Sequence, residues 1–169
     1  RNRQGILEKT LRSLTDQTWP ADRFQVVVVN DGSTDGTAEM LEKIAPELPY
    51  PLVVCHQPHS GLATARNTGI RASSGWVMLY IDDDVLADPR LIEEHLNIHR
   101  AHDKIVCNGW VNHVTEPVRP EKPTFTMADI STSFFWTSNG SVKLEHLIEA
   151  GMFDEDFKEY GWEDQELGL

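Results

Sequence analysis

The chain has 169 residues, 40% hydrophobic and 25% charged, which is the composition of a globular domain rather than a disordered segment. Its 15 Lys and Arg against 27 Asp and Glu give a net charge of −12, which argues against a broad phosphate-tracking surface for nucleic acid or anionic membrane. Cys55 and Cys107 stand far apart without a CxxC pair, and no stretch nears the roughly 18 consecutive apolar residues of a membrane span. A reducing, cytoplasmic setting is expected, with any membrane association left to segments beyond this sequence.

Ile6, Leu7, Leu11 and Leu14 fall at helical spacing, predicting an amphipathic helix over residues 5–17. Phe24 to Val29 is a β-branched apolar run, the pattern of a strand buried on both faces of a parallel sheet. Ala38, Leu41 and Ile44 predict a helix that starts near Thr34 or Asp35 and stops at Pro46. Leu52 to Cys55 reads as a strand, residues 61–72 as a helix with small residues on its face, and Trp76 to Ile81 as a strand. Asp88 and Pro89 supply an N-cap and a first helical position for another helix. Lys104 to Val111 is strand-like, and residues 114–131, with Pro117, Pro120 and Pro123, read as a loop. Val142, Leu144, Leu147 and Ile148 mark a last helix ended by Gly151. Strand and helix alternate, so the expected class is α/β with a mostly parallel sheet in one domain.

Asn30-Asp31-Gly32-Ser33-Thr34-Asp35-Gly36 follows the first strand directly. Ligands in open α/β sheets bind beyond the carboxyl ends of strands, where Asp31 can accept hydrogen bonds from a base or ribose. The same residue types also build an ordinary strand-to-helix turn. Asp31, Ser33, Asp35, Gly36 and Glu42 match the ligand pattern of an EF-hand loop, but a β-branched run precedes them instead of a helix, so calcium is not expected.

Asp82-Asp83-Asp84 follows the WVMLYI strand, which carries the triplet to the sheet rim and, by the same logic, to the rim that holds Asp31. Three adjacent carboxylates repel one another, and Mg²⁺ or Mn²⁺ shared with substrate phosphates relieves that repulsion. In Ser60 to Gly69, a Gly at the helix start permits close backbone approach, and Arg66 is one of few cations placed to meet a nucleotide. It reads equally as a solvated Arg on a tightly packed helix. Trp162-Glu163-Asp164 sets an aromatic beside paired acids, which suits sugar binding and general-base work. Taken alone, it is an acidic helix start favoured by the dipole. His95, His99 and His102 share a helix face. Because Leu91, Ile92 and Leu96 define a buried face already, a partly solvated histidine stripe is expected rather than a zinc site. Asn139-Gly140-Ser141 fits a glycosylation sequon that nothing else in the sequence supports.

Together, VVVVNDGSTDGT at 26–37, HSGLATARNTGI at 59–70, LYIDDDV at 79–85, GMFDEDF at 151–157 and GWEDQELG at 161–168 resemble the family-two inverting glycosyltransferases of the GT-A fold. Five segments in the family's order, over nearly the whole chain, are specific where any one is not. The resemblance implies a Rossmann-like, mostly parallel sheet flanked by helices, in a single catalytic domain over residues 1–169. Its nucleotide-binding half would be about 1–102 and its acceptor-binding half about 103–169. A first strand, mid-sheet, and a C-terminal segment of the family are not matched, so this sequence reads as part of a longer protein.

By the same resemblance, Asp31 and Arg66 contact the nucleotide base, and Asp82 and Asp83 lie at the nucleotide diphosphate. Asp84, with Asp82, holds Mn²⁺ or Mg²⁺, Asp164 is the catalytic base, and Glu163 and Trp162 hold the acceptor. The implied activity is metal-dependent inverting transfer from a nucleotide-diphosphate sugar, a UDP-sugar being expected, to a hydroxyl. The acceptor would be a glycan, a lipid-linked molecule or a small molecule; no nucleic acid partner is implied. Two alternatives stay open. A sugar-phosphate nucleotidyltransferase would carry a Gly-rich, Arg-containing loop after its first strand. A non-catalytic nucleotide-sugar-binding domain would not need both the DxD motif and the Glu-Asp pair.

Overall fold

The computed structural model describes residues 1–116, 118–122 and 135–156. Helix α1 (Gln4–Ser13) runs into a 3-10 turn ending at Asp16, and buries the Leu11 and Leu14 of its predicted stripe. Strand β1 (Val26–Asp31) begins at Val26 rather than Phe24 and carries on through Asp31, because Asn30 and Asp31 stay in register with His56 and Gln57. Helix α2 (Thr37–Ile44) is started by the Asp35 carboxylate, which accepts the Thr37 N–H at 3.1 Å. Strand β2 (Leu52–Gln57) and helix α3 (Leu62–Arg71) follow. Then come β3 (Val77–Ile81), α4 (Leu91–Ala101), β4 (Val106–Asn108), β5 (Asn139–Lys143) and α5 (Leu144–Glu149). Asp88 serves a turn ahead of α4, its carboxylate accepting the Arg90 N–H at 2.9 Å and its carbonyl the Leu91 N–H at 3.0 Å.

The class is α/β, as expected. β1 pairs parallel with β2, and β5 pairs antiparallel with both β3 and β4. Among the described residues β1 and β3 are not paired with each other. An apolar slot of about 370 Å³ lies between them, lined by Val27 and Val29 from one strand and by Leu79 and Ile81 from the other. The β1 valines are therefore half-buried rather than enclosed. Cores lie on either side of the slot. Leu11, Met40, Leu41 and Ile44 join α1 and α2 to β1 and β2. Phe135, Val142, Leu147 and Phe153 gather under α3 and β5.

Two readings of the sequence are corrected. Val142 does not belong to the last helix; Asn139–Lys143 is a strand, and α5 starts only at Leu144. Pairing on both sides overrides the helical spacing. Gly140 admits no side chain there, since a Cβ would stand 2.4 Å from the Trp136 carbonyl oxygen. Asn139, in the sequon pattern, is 8% exposed.

The histidines of α4 are not a solvated stripe. His95 and His99 are 5% and 1% exposed, while His102 lies exposed past the helix end. Strand β5 makes their burial tolerable. Ser141 Oγ sits 2.7 Å from His95 Nδ1 and 2.8 Å from His99 Nε2, and Asn139 Oδ1 is 3.0 Å from His95 Nε2. Leu91, Ile92 and Leu96 border the slot.

Loss of solvation pushes both imidazoles below their ordinary range. They are neutral in the fold, whereas the unfolded chain binds protons below about pH 6.5. Their contribution is complete above that pH and is lost as pH falls through the folded-state values. The urea midpoint should therefore drop between about pH 7 and about pH 5, and the drop should be shallower in His95→Gln and His99→Gln. Urea titrations across that range check both expectations.

Candidate functional site

Asp31 ends β1 with a side chain 14% exposed. Its carboxylate gathers the β2–α3 connection. Oδ1 accepts from Gln57 Nε2 at 2.7 Å and Ser60 N at 2.8 Å; Oδ2 accepts from His59 Nδ1 at 2.6 Å and Gly61 N at 3.3 Å. Burial pushes this acid up, but the bonds from Gln57, Ser60, His59 and Gly61 outweigh it and hold Asp31 below its ordinary value. The chain can approach this closely because position 32 is glycine. Gly32 has φ +69°, and a Cβ there would lie 2.7 Å from the His59 backbone nitrogen. Asp31 stands at the rim its sequence position implies, but nothing in the sequence pattern points to Gln57 and His59 as its partners. Gln57 faces Asp31 across the parallel ladder, a register that no local pattern reveals. Its Oε1 also accepts from Thr68 Oγ1 at 2.7 Å, fastening the connection to α3.

The acidic triplet follows β3. Asp31, Asp82 and Asp83 line one pocket of about 200 Å³ at the same end of β1 and β3, together with Arg1, Asn2 and Arg3. Arg3 Nη1 donates to Asp83 Oδ1 at 2.6 Å and to Asp84 Oδ2 at 2.9 Å, which joins Asp84 to the group. Thr10 Oγ1 donates to the Asp83 carbonyl at 2.9 Å, tying the triplet to α1. Asp82 is exposed and makes no hydrogen bond or ion pair among the described residues. Carboxylate oxygens are the hard donors that Mg²⁺ and Mn²⁺ take. Asp83 and Asp84 converge on one cation and have the donors a divalent ion takes, while Asp82, the other expected ligand, is not drawn into that pair.

Arg66 stands elsewhere. Its Nη2 donates to Thr137 Oγ1 at 2.6 Å, its guanidinium lies 5.1 Å from the Phe153 ring centre, and it borders the slot rather than the Asp31 pocket. Its neighbour Asn67, 2% exposed, clamps the Phe153 backbone from both sides. Nδ2 donates to the carbonyl at 2.8 Å and Oδ1 accepts the N–H at 3.0 Å. Asn67 also reaches Glu155 at 2.8 Å. The two segments are far apart in sequence, and no local pattern in either shows that one holds the other. Trp162, Glu163 and Asp164 lie outside the described residues.

The EF-hand pattern is built differently. Asp31 serves the β2–α3 connection, Asp35 serves Gln4 and Thr37, and a strand precedes the loop. Asp103, Glu145 and His146 converge closely enough for a metal ion, but Asp103 is already bonded by Lys143.

An aspartate at the end of β1 and an acidic triplet after β3, lining one pocket, form a construction suited to nucleotide ligands. The model of the family described as "Glycosyl transferase family 2" matches residues 1–156. The chain belongs to that family. It is 32% identical to a validoxylamine A glucosyltransferase of Streptomyces hygroscopicus subsp. limoneus, covering 99% of this chain and 45% of the relative. It is 26% identical to the uncharacterized glycosyltransferase YfnE of Bacillus subtilis, covering 99% of this chain and 57% of the relative. The chain thus spans about half the length of these relatives. In three dimensions it resembles TarS of S. aureus in complex with UDP, with a TM-score of 0.75, 22% identity, and 98% of this chain and 51% of that one covered. It also resembles the mannosyltransferase PcManGT of Pyrobaculum calidifontis in complex with GDP-Man and Mn²⁺, with a TM-score of 0.75, 24% identity, and coverage of 98% and 48%. The shared fold is GT-A. No helix among the described residues is long and apolar enough to cross a membrane.

The Asp31 network makes a specific prediction. Asp31→Ala should leave the β1–β2 ladder protected and raise amide hydrogen exchange at Ser60 and Gly61, which lose their acceptor. Exchange mass spectrometry, with β2 as the internal reference, measures this directly.

Proposed function

We propose that the chain is the catalytic part of an inverting glycosyltransferase that uses a nucleotide-diphosphate sugar and Mn²⁺ or Mg²⁺. The observation that carries this reading is the meeting of Asp31 and the Asp82–Asp84 triplet around one pocket at the carboxyl ends of β1 and β3. The nucleoside binds against β1 and the β2–α3 connection, with Asp31 setting the shape of that wall. The diphosphate lies toward Asp82 and Asp83. Asp84, with Asp82, holds the metal ion, which when bound offsets charge on the departing nucleoside diphosphate. Without a cation, three carboxylates would repel the donor.

By the family resemblance Arg66 also meets the base, for which its guanidinium must leave Thr137 and the slot it borders here. Uridine is the proposed base, supported by the family resemblance and by a UDP-bound neighbour. The acceptor is a glycan, a lipid-linked molecule or a small molecule. Asp164 removes the acceptor hydroxyl proton, while Glu163 and Trp162 hold the acceptor. What supports this is the order of the segments: Asn67 pins Phe153 and Glu155 on α3, and Trp162-Glu163-Asp164 follows shortly after along the chain.

Two measurements test the reading on the full-length protein. Calorimetry with UDP should show binding that needs Mn²⁺ and is lost in excess EDTA, and Asp84→Ala should remove most of that metal dependence. Equal UDP affinity with and without metal overturns the metal role. Asp164→Asn should lower the transfer rate by about 10²–10⁴ with donor affinity nearly unchanged, because Asn keeps the shape but cannot take the proton. A rate within a few-fold of the parent moves the base to Glu163.

A further inference from the structure

Residues 1–3, ahead of α1, are held by a set of hydrogen bonds. Arg1 Nε donates to the Gly32 carbonyl at 2.9 Å, and the Asn2 N–H to Ser33 Oγ at 3.1 Å. Asn2 Oδ1 accepts the Thr34 N–H at 2.8 Å, and Asp35 Oδ2 accepts the Gln4 N–H at 3.2 Å. Asn2 takes a left-handed conformation, φ +56°, to make the turn. The Arg3 carbonyl accepts the Ile6 and Leu7 N–H groups at 3.2 and 3.0 Å, so Arg3 is the N-cap of α1. Its backbone is thus held by the β1–α2 turn on one side and by the helix on the other.

From this fixed base the Arg3 side chain crosses to the end of β3 and forks onto Asp83 and Asp84. A guanidinium at a helix N-terminus works against the helix dipole, so its position is explained by the triplet rather than by the helix. The hydrogen bond to Asp83, followed by that acid's charge and the bond to Asp84, keeps Arg3 protonated more firmly than usual. The side chain is 49% exposed, so it can leave without unpacking a core.

We infer that Arg3 is the resident counter-cation of the Asp82–Asp84 triplet, holding Asp83 and Asp84 in the donor-free protein and yielding Asp84 to a divalent metal ion. This rests on the metal reading given under the proposed function, in which Asp84 is a ligand. Arg3 and the metal ion then draw on the same carboxylate. The metal must displace a charge already in place, so the donor-free protein binds it weakly. Asp82, unpartnered among the described residues, is left as the point of first contact.

The test is Mn²⁺ titration of the full-length protein without nucleotide, at low salt, following the free-ion signal by electron paramagnetic resonance. Arg3→Gln should bind Mn²⁺ roughly three- to tenfold more tightly than the parent, the range expected for removing a half-exposed competing cation with two contacts. Arg3→Lys keeps the charge without the fork and should fall between the two. Circular dichroism melting confirms that each variant is folded. Unchanged or weaker Mn²⁺ affinity in Arg3→Gln, with binding still lowered by Asp84→Asn, overturns the role of Arg3 alone. Mn²⁺ binding that Asp84→Asn does not lower overturns the metal reading, and the competition with it.

Discussion

The carboxylate of Asp31 is the constraint on which the site depends. Four donors from the chain between Gln57 and Gly61 converge on its two oxygens. That convergence sets where α3 begins and therefore where its residues point. A charged acceptor taken out of water is costly unless its lone pairs are filled. Once filled, it holds a polar connection in one conformation, each bond contributing on the order of 1.5–3 kcal/mol when the acceptor is ionised. The glycine at 32 is the steric half of the same constraint, since any Cβ would push His59 away.

Consequences travel along α3. Asn67 sits on the inner face of a helix whose start is pinned by Asp31, and its amide grips Phe153 through both backbone groups. Thr64, Asn67 and Arg71 then share the Glu155 carboxylate. The β2–α3 connection at Asp31 and the segment leading toward the proposed base are thereby connected through one helix, by hydrogen bonds rather than by apolar packing alone. The other half of the domain uses the same device. Ser141 on β5 gives the buried imidazoles of α4 their partners, and a helix whose core face is partly polar can dock only where those partners stand.

Charge is arranged with similar economy. The chain carries −12 overall, and the pocket at the strand ends is lined by Asp31, Asp82 and Asp83 together with Arg1 and Arg3, of which Arg3 bonds Asp83 and the adjacent Asp84. Neither arginine is near an acidic motif in sequence, so no local pattern pairs either with the triplet. The same is true of Gln57 and His59, whose roles exist only because β2 lies in register beside β1.

What the sequence determined by itself was the class of fold, the sites of its helices, and the rim positions of Asp31 and Asp82–Asp84. Each rests on local information: a 3.6-residue period, a β-branched run, an acidic turn directly after a strand. The family pattern was legible for the same reason, because its segments are contiguous. Tertiary structure alone decided the rest. It turned Val142 from helix to strand by pairing it on both sides. It buried His95 and His99 by placing Ser141 and Asn139 against them. It sent Arg66 to Thr137 and Phe153, and gave the acidic triplet its arginine from the N-cap of α1. In every one of these cases the deciding partner is dozens of residues away, and a side chain's environment is set by the neighbours that folding brings to it, not by those beside it in the chain.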